Sequence, residues 1–358
     1  MPERVCYAHR MRCSNPVRAL VPATLVVAGA VLSACGSDPP SNACAALATT
    51  PASAVLCQWT DYPGNPVIAP PTEPIVGDPT VVAPEDSPDG QWHLFAYTFG
   101  GIEHYTAPDG IAWTFVDKPL PLGSVRPYVF KEGGTYHLLF EKFSRLLAPQ
   151  ISNIQMIDST DLVTWSDPVT LLEPTLAWEM ETQTTVGNPF VIRRDGQYWL
   201  YYSAAGSLMP DNTGFTEPRY IGLARATDLR GPYTKEPKPI ISPDPSVPWR
   251  TIASGSLKLL ADSYDGRWVA MENGLYQDNA GATHSAIQVL ESDDGVAWRE
   301  VCPTPPLAPS GTGWKSAFVY AFATVRRKGD LRVYYNARNG WADGVERIGF
   351  SSVSLTCE

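Results

Sequence analysis

Apolar positions along this chain fall in short, closely spaced runs. After about residue 50, no window keeps the i, i+3, i+4, i+7 spacing of an amphipathic helix. A compound pattern recurs instead. Gly77-Asp78-Pro79-Thr80-Val81-Val82 opens it, with a special residue ahead of a β-branched run, a turn and then an aromatic-rich run. Arg126-Pro127-Tyr128-Val129-Phe130 and Asn188-Pro189-Phe190-Val191-Ile192 repeat the opening, and two weaker copies follow. The first four copies end on an Asp-led turn: Asp109 to Trp113, Asp161 to Trp165, Asp228 to Tyr233 and Asp294 to Trp298. Such runs, punctuated by 34 prolines and 28 glycines, predict many short strands and no long helices.

The repeat length fixes the architecture. Units fall at about 75–122, 124–173, 185–242, 252–308 and 315–356, each with room for four short strands. Self-similarity at this period predicts an all-β, five-bladed β-propeller. The fifth unit stops after three strands. An isolated segment, Trp59 to Ile68, reads like the other fourth strands. It is expected to complete the last blade and close the ring, so that no sheet edge stays open.

The N-terminus reads differently. A basic region (Arg10, Arg12, Arg18), an apolar run from Ala19 to Leu32 and the sequence Leu32-Ser33-Ala34-Cys35 resemble a bacterial lipoprotein signal. Residues 1–34 are then a cleaved signal, Cys35 carries lipid, 35–56 form a flexible tether and 57–358 form the propeller. This places the protein in the cell envelope outside the cytoplasm, touching the membrane only through its N-terminal lipid. An ordinary signal peptide with an incidental Cys35 is the alternative.

Four cysteines remain, an even number suited to an oxidising compartment: Cys44, Cys57, Cys302 and Cys357. Cys57 and Cys357 flank the hairpin missing from the last blade, so the expected pairing is Cys57–Cys357 with Cys44–Cys302. Four cysteines allow three connectivities. Their spacing shows no metal-ligand pattern.

Charge narrows the partners. The formal net charge is −10, and it becomes −13 once a signal holding four arginines and one glutamate is removed. This argues against nucleic acid or an anionic surface and is compatible with a neutral ligand such as an oligo- or polysaccharide. No phosphate loop or serine nucleophile elbow is present. A monomer without cofactors is expected. A calcium ion in the central channel is compatible with such folds, but no ligand motif argues for one.

The five units, the Asp-Pro opening and the Ser/Thr-Asp-x-x-x-Trp hairpins resemble glycoside hydrolase family 43 and its relatives, which include arabinofuranosidases, arabinanases and xylosidases. The resemblance implies a base Asp at the start of the first inner strand, where Asp78 stands. It implies a second Asp on a later blade, where this chain has Asn188. It also implies an acid Glu near Thr251 to Ser256, where the chain has no carboxylate. Glu141 and Glu272 are the candidate replacements for that acid, with a structural Glu141–Arg126 pair as the plainer reading of Glu141. Counting along the strand turns Glu272 to the other side of its blade unless a bulge intervenes. Asp211, Glu217 and Asp343 fall near the same face, as do Glu179 and Glu181, which read as solvated loop residues. Arg126, Asn188, Trp178 and Trp341 are the candidate substrate-binding residues, and Phe215 and Tyr276 are further rim aromatics. Two functions are expected: a lipid-anchored glycosidase with Asp78 as base, or a non-catalytic carbohydrate-binding lipoprotein on the same fold.

Overall fold

The structure is a computed structural model. It describes residues 55–70, 75–210, 216–264, 267–327, 329–340 and 343–354, with backbone alone for 261–264. The signal, Cys35, Cys44, Asp211, Phe215, Trp341 and Cys357 lie outside these residues.

The described residues form five blades. Strand β1 (Thr60–Asp61) comes first in the chain but belongs to the last blade. Blade one holds β2 (Gly77–Val82), β3 (Trp92–Thr98), β4 (Gly101–Ala107) and β5 (Thr114–Pro121). Blade two holds β6 (Ser124–Glu132), β7 (Thr135–Arg145), β8 (Ile151–Ser159) and β9 (Val169–Leu172). Blade three begins with β10 (Val186–Arg194) and β11 (Gln197–Ala204). It then inserts a small hairpin, β12 (Ser207–Leu208) with β13 (Thr216–Glu217), before β14 (Tyr220–Ala226) and β15 (Thr234–Lys235). Blade four holds β16 (Ala253–Tyr264), β17 (Arg267–Gln277), β18 (Thr283–Ser292) and β19 (Arg299–Glu300). Blade five holds β20 (Phe318–Arg327), β21 (Asp330–Arg338), β22 (Glu346–Ser354) and, outermost, β1.

Alternation along the second strands builds the ring. Successive side chains point to opposite faces of a strand, so neighbours in sequence pack against different blades. Leu138 and Phe140 join the core between blades one and two, and Leu139 joins that between two and three. Tyr202 faces blade two while Tyr201 faces blade four. Ala270 faces blade three while Met271 faces blade five. Tyr335 packs toward blade four, and Tyr334 packs on Trp92 and Leu94 of blade one, which closes the circle.

The Asp-led turns have a common cause. One carboxylate oxygen accepts from two following backbone N–H groups: Asp109 from Ile111 and Ala112, Asp161 from Val163 and Thr164, Asp294 from Val296 and Ala297. These bonds hold the hairpin without a backbone partner.

The N-terminal strand completes blade five. Thr60 pairs with Ser352 and Asp61 with Ser351, and an isolated bridge joins Ile68 to Ile348. The Asn65 side chain donates to Phe350 O at 2.8 Å and accepts from Phe350 N at 3.0 Å. Asp61 accepts from Tyr335 at 2.8 Å, from Ser351 and from Lys315. Burial alone would raise the Asp61 carboxyl, but these donors outweigh it and hold it below its ordinary range.

The expected cysteine pairing is corrected. Cys57 is bonded to Cys302, with Cα atoms 5.5 Å apart. Leu56 and Cys302 are buried in the same core between blades four and five, with Leu307 and Val319, and Cys57 packs against it. The chain leading into β1 therefore leans on the neighbouring blade and does not span the cut hairpin of its own.

Candidate functional site

Each inner strand carries a bulge near its start, where one extra residue breaks the ladder. The breaks lie between Gly77 and Thr80, Val125 and Tyr128, Gly187 and Phe190, Ser254 and Ser256, and Tyr320 and Phe322. In the first three blades the bulge holds Asp78, Arg126 and Asn188 at φ of 50°, 54° and 46°. A non-glycine residue there is strained, and a bulge re-aims its side chain. The Asp-Pro, Arg-Pro and Asn-Pro openings thus mark the positions where side chains turn into a shared recess.

Arg126 is the hub of that recess. Its Nη1 donates to Glu141 Oε2 at 2.6 Å, and its Nη2 lies 3.9 Å from Glu217 Oε2. Burial works against the guanidinium charge, but Glu141, Asp78 and Glu217 together outweigh it and raise its pKa. Glu141 is fully buried and also accepts from Ser152 Oγ at 2.7 Å. The structure therefore brings Glu141 beside Arg126 as half of a clamped pair.

Asp78 lies in the same charge network. Its N–H donates to Asn336 Oδ1 at 3.2 Å. Burial raises its carboxyl above the ordinary value, Arg126 and Lys258 pull it down, and Glu141 pushes it up again. Glu217, at the end of the β12–β13 hairpin, is pushed up to about 7 by burial, with Asp78 and Glu141 adding and Arg126 and Arg338 opposing. Glu346, which opens β22, is pushed up to about 8 by burial and by Asp78, with Glu217 adding and Tyr320 and Arg338 opposing. It accepts from Asn336 Nδ2 at 2.6 Å. Lys258 donates to Phe322 O, and burial lowers its ammonium to about 8 against the pull of Asp78.

Asn188 does what an Asp in its place would not. Its amide donates to Ser203 Oγ at 2.9 Å and to Gly255 O at 2.8 Å. An ionised carboxylate has no proton to offer that carbonyl. On blade four the bulge residue is Gly255, where an added Cβ would sit 1.9 Å from Asn273 Oδ1. That blade presents no acid to the recess at this position.

Glu272 belongs elsewhere. It is fully buried on the blade-three side of its strand, 3.5 Å from Arg250, which in turn lies 3.7 Å from Glu300. Burial pushes it to about 7, and its charged neighbours are Arg250 and Glu300, not Asp78. Glu179, expected in solvent, is also buried. It accepts from Lys235 and Tyr202 at 2.7 Å and from the N–H groups of Thr175 and Leu176. A short 3-10 helix, Ala177–Met180, brings it inward. Glu181 stays outside and accepts from Tyr220. Trp178 stacks on Tyr202 and meets Tyr220 edge-on. Among the described residues, no group of three or more His, Cys, Asp and Glu is placed to hold a metal ion.

Four charged or hydroxyl members of the recess were not singled out from sequence: Lys258, Glu346, Arg338 and Tyr320. A signal existed for Glu346, a charge opening the apolar strand Ile348-Gly349-Phe350. Glu217 was placed on the correct face but carried no rank, because it stands in an insertion outside the repeat.

Residues 116–252 match the sequence profile of glycosyl hydrolases family 43. That span includes Arg126, Glu141, Asn188 and Glu217, and excludes Asp78. No curated protein matches the chain. Solved structures share the fold at low identity. An α-L-arabinofuranosidase from Podospora anserina, in complex with cellotriose, is 15% identical with a TM-score of 0.61, over 84% of this chain and 98% of that one. The catalytic domain of a GH62 α-L-arabinofuranosidase from Coprinopsis cinerea is 16% identical with a TM-score of 0.60, over 83% and 96%. An N-acetylgalactosamine deacetylase from F. plautii, in complex with blood group B trisaccharide, is 15% identical with a TM-score of 0.58, over 83% and 94%. These likenesses establish the propeller. The third shows that carbohydrate chemistry on it is not confined to glycoside hydrolysis.

Proposed function

We propose that this chain is a glycoside hydrolase acting on an oligo- or polysaccharide, with Asp78 as general base and Glu217 as general acid. One observation carries the reading: two carboxyl groups share a recess but lie in unequal fields. Burial raises both carboxyls; at Asp78 the charges of Arg126 and Lys258 oppose that rise and favour the ionised form, whereas Glu217 is still pushed up to about 7 and keeps a proton near neutrality. In hydrolysis, water attacks the anomeric carbon and gives its proton to Asp78. The bond to the leaving oxygen breaks, and that oxygen takes the proton of Glu217. Arg126 fixes the recess through Glu141, and Asn188 ties blade three to blade four beneath the sugar. The family profile over residues 116–252 supports the reading.

The resemblance of residues 1–35 to a lipoprotein signal ending at Cys35 supports a location outside the cytoplasm on a lipid tether, and the Cys57–Cys302 disulfide suits that oxidising location. A second reading, a carbohydrate-binding propeller without catalysis, is favoured by the missing carboxylate at the blade-four bulge.

The test compares wild type with Asp78→Asn and Glu217→Gln on aryl furanosides, aryl pyranosides and polysaccharides. Each substitution is expected to lower kcat/KM by about 10²–10⁴-fold with the fold intact. Inactive wild type with saturable glycan binding would replace the hydrolase by the binding module.

A further inference from the structure

The bulge that aims Asp78 leaves a polar group to be settled. The ladder between β2 and β3 breaks between Gly77 and Thr80, so Asp78 and Pro79 stand outside it. Pro79 has no N–H, and the N–H of Asp78 has no place in the ladder while its φ is held at 50°. An unpaired donor in the recess would oppose that strained conformation. Blade five supplies the acceptor. Asn336 Oδ1 takes the Asp78 N–H at 3.2 Å, and Asn336 Nδ2 donates to Glu346 Oε1 at 2.6 Å. Asn336 and Glu346 are both buried. The Asp78 N–H fixes the direction of the amide, because a flipped amide would set donor against donor.

Glu346 reaches the amide because residue 77 is glycine. An added Cβ at Gly77 would stand 1.9 Å from Glu346 Oε1 and 3.1 Å from Asn336 Nδ2. Blade three repeats the seat, for a Cβ at Gly187 would stand 1.8 Å from Glu141 Oε2. The two seats differ in charge. Arg126 clamps Glu141 at 2.6 Å. Arg338 Nη1 stays 3.9 Å from Glu346 Oε2, and Arg338 Nη2 donates to Gly344 O at 2.7 Å. Burial and the charge of Asp78 push the Glu346 carboxyl up to about 8, with Glu217 adding and Tyr320 and Arg338 opposing. A neutral carboxyl holds the amide without setting a second negative charge beside the base.

We propose that Asn336 and Glu346 are positioning residues for the base: Glu346 fixes the Asn336 amide, and that amide anchors the Asp78 N–H so that the Asp78 side chain stays turned into the recess, in the field of Arg126 and Lys258. This deepens the hydrolase reading and rests on Asp78 being its base. Wild type is compared with Asn336→Leu, Glu346→Leu, Gly77→Ala and Glu346→Gln by two readouts. The first is the titration of the Asp78 carboxyl, followed by NMR in protein whose aspartates carry ¹³C at the side-chain carboxyl; its resonance is the one lost in Asp78→Asn. Asn336→Leu, Glu346→Leu and Gly77→Ala are each expected to raise the midpoint by about one pH unit, as the carboxyl leaves its cationic neighbours. Glu346→Gln keeps an acceptor for the amide and is expected to hold the midpoint within about 0.3 unit of wild type. The second readout is kcat and KM on the aryl glycoside that wild type hydrolyses fastest. The first three variants are expected to lose kcat by about 10- to 100-fold with KM kept, and Glu346→Gln to stay within about threefold of wild type. If Asn336→Leu fails to fold, the comparison rests on Glu346→Leu and Gly77→Ala. A midpoint that stays at the wild-type value in the first three variants, or moves as far in Glu346→Gln, would overturn the proposal whatever the activity. A midpoint that moves without a fall in kcat, or in a protein that hydrolyses none of the glycosides, would keep both residues as anchors of Asp78 and remove its role as base.

Discussion

Glu217 and Glu346 share a recess, yet their protons have different consequences. An acid catalyst must hold its proton, so activity governed by Glu217 is present below about pH 7 and lost as the pH rises through it. In Glu217→Gln that alkaline limb should vanish from the kcat/KM profile. A limb of unchanged position would assign it to another group. Glu346 reports through stability. Its carboxyl sits near 4.5 ordinarily and about 8 in the fold, so the folded state holds a proton that the unfolded chain releases. Stability is therefore expected to be full below about pH 4.5 and to fall as the pH rises toward 8. Glu346→Gln, which keeps a neutral side chain, should flatten the decline in Tm between pH 5 and 8. A wild-type Tm that rises across this window would contradict the assignment. At this scale the sequence was partly legible. Asp78 and Arg126 announce themselves by the proline that follows them. Glu217 is also followed by a proline, Pro218, but stands outside the repeat, and the roles of Glu217 and Arg338 come from neighbours distant in sequence and brought together by the ring.

The bulged inner strand is the element that turns sequence into a site. Three blades write it openly, as a polar residue before proline. Blades four and five write it as Gly255 and near Ala321, which have no such signature, and their contribution had to come from the ladder itself. The same ladder shows why Glu272 stands apart. Ala270 and Glu272 share one face of β17, and that face packs on blade three. Asn188→Asp tests the element. Both amide donor bonds would be lost and a carboxylate would face Gly255 O. A destabilisation of about 1–3 kcal/mol is expected by urea unfolding. An unchanged midpoint would show that those bonds contribute nothing to the joint between blades three and four.

At the scale of the whole molecule, the repeat predicted the blade count and the displaced first strand, because both depend on local pattern. The disulfide was not legible, because it depends on how the incoming chain leans across an interface. Cys302→Ser should cost about 2–4 kcal/mol, read as a lower Tm in non-reducing buffer. An unchanged Tm would show that the ring is held by its five cores alone.

The bond has one more consequence. Cys57 and Cys302 are 245 residues apart, so backbone and disulfide together make a covalent circle that runs through β1 of blade five and then blades one to four. A protease that cuts once within it, at the exposed Leu146-Leu147 tip for example, opens the circle without dividing the molecule. A nicked copy would still travel as one particle until a reductant reached its sulfurs.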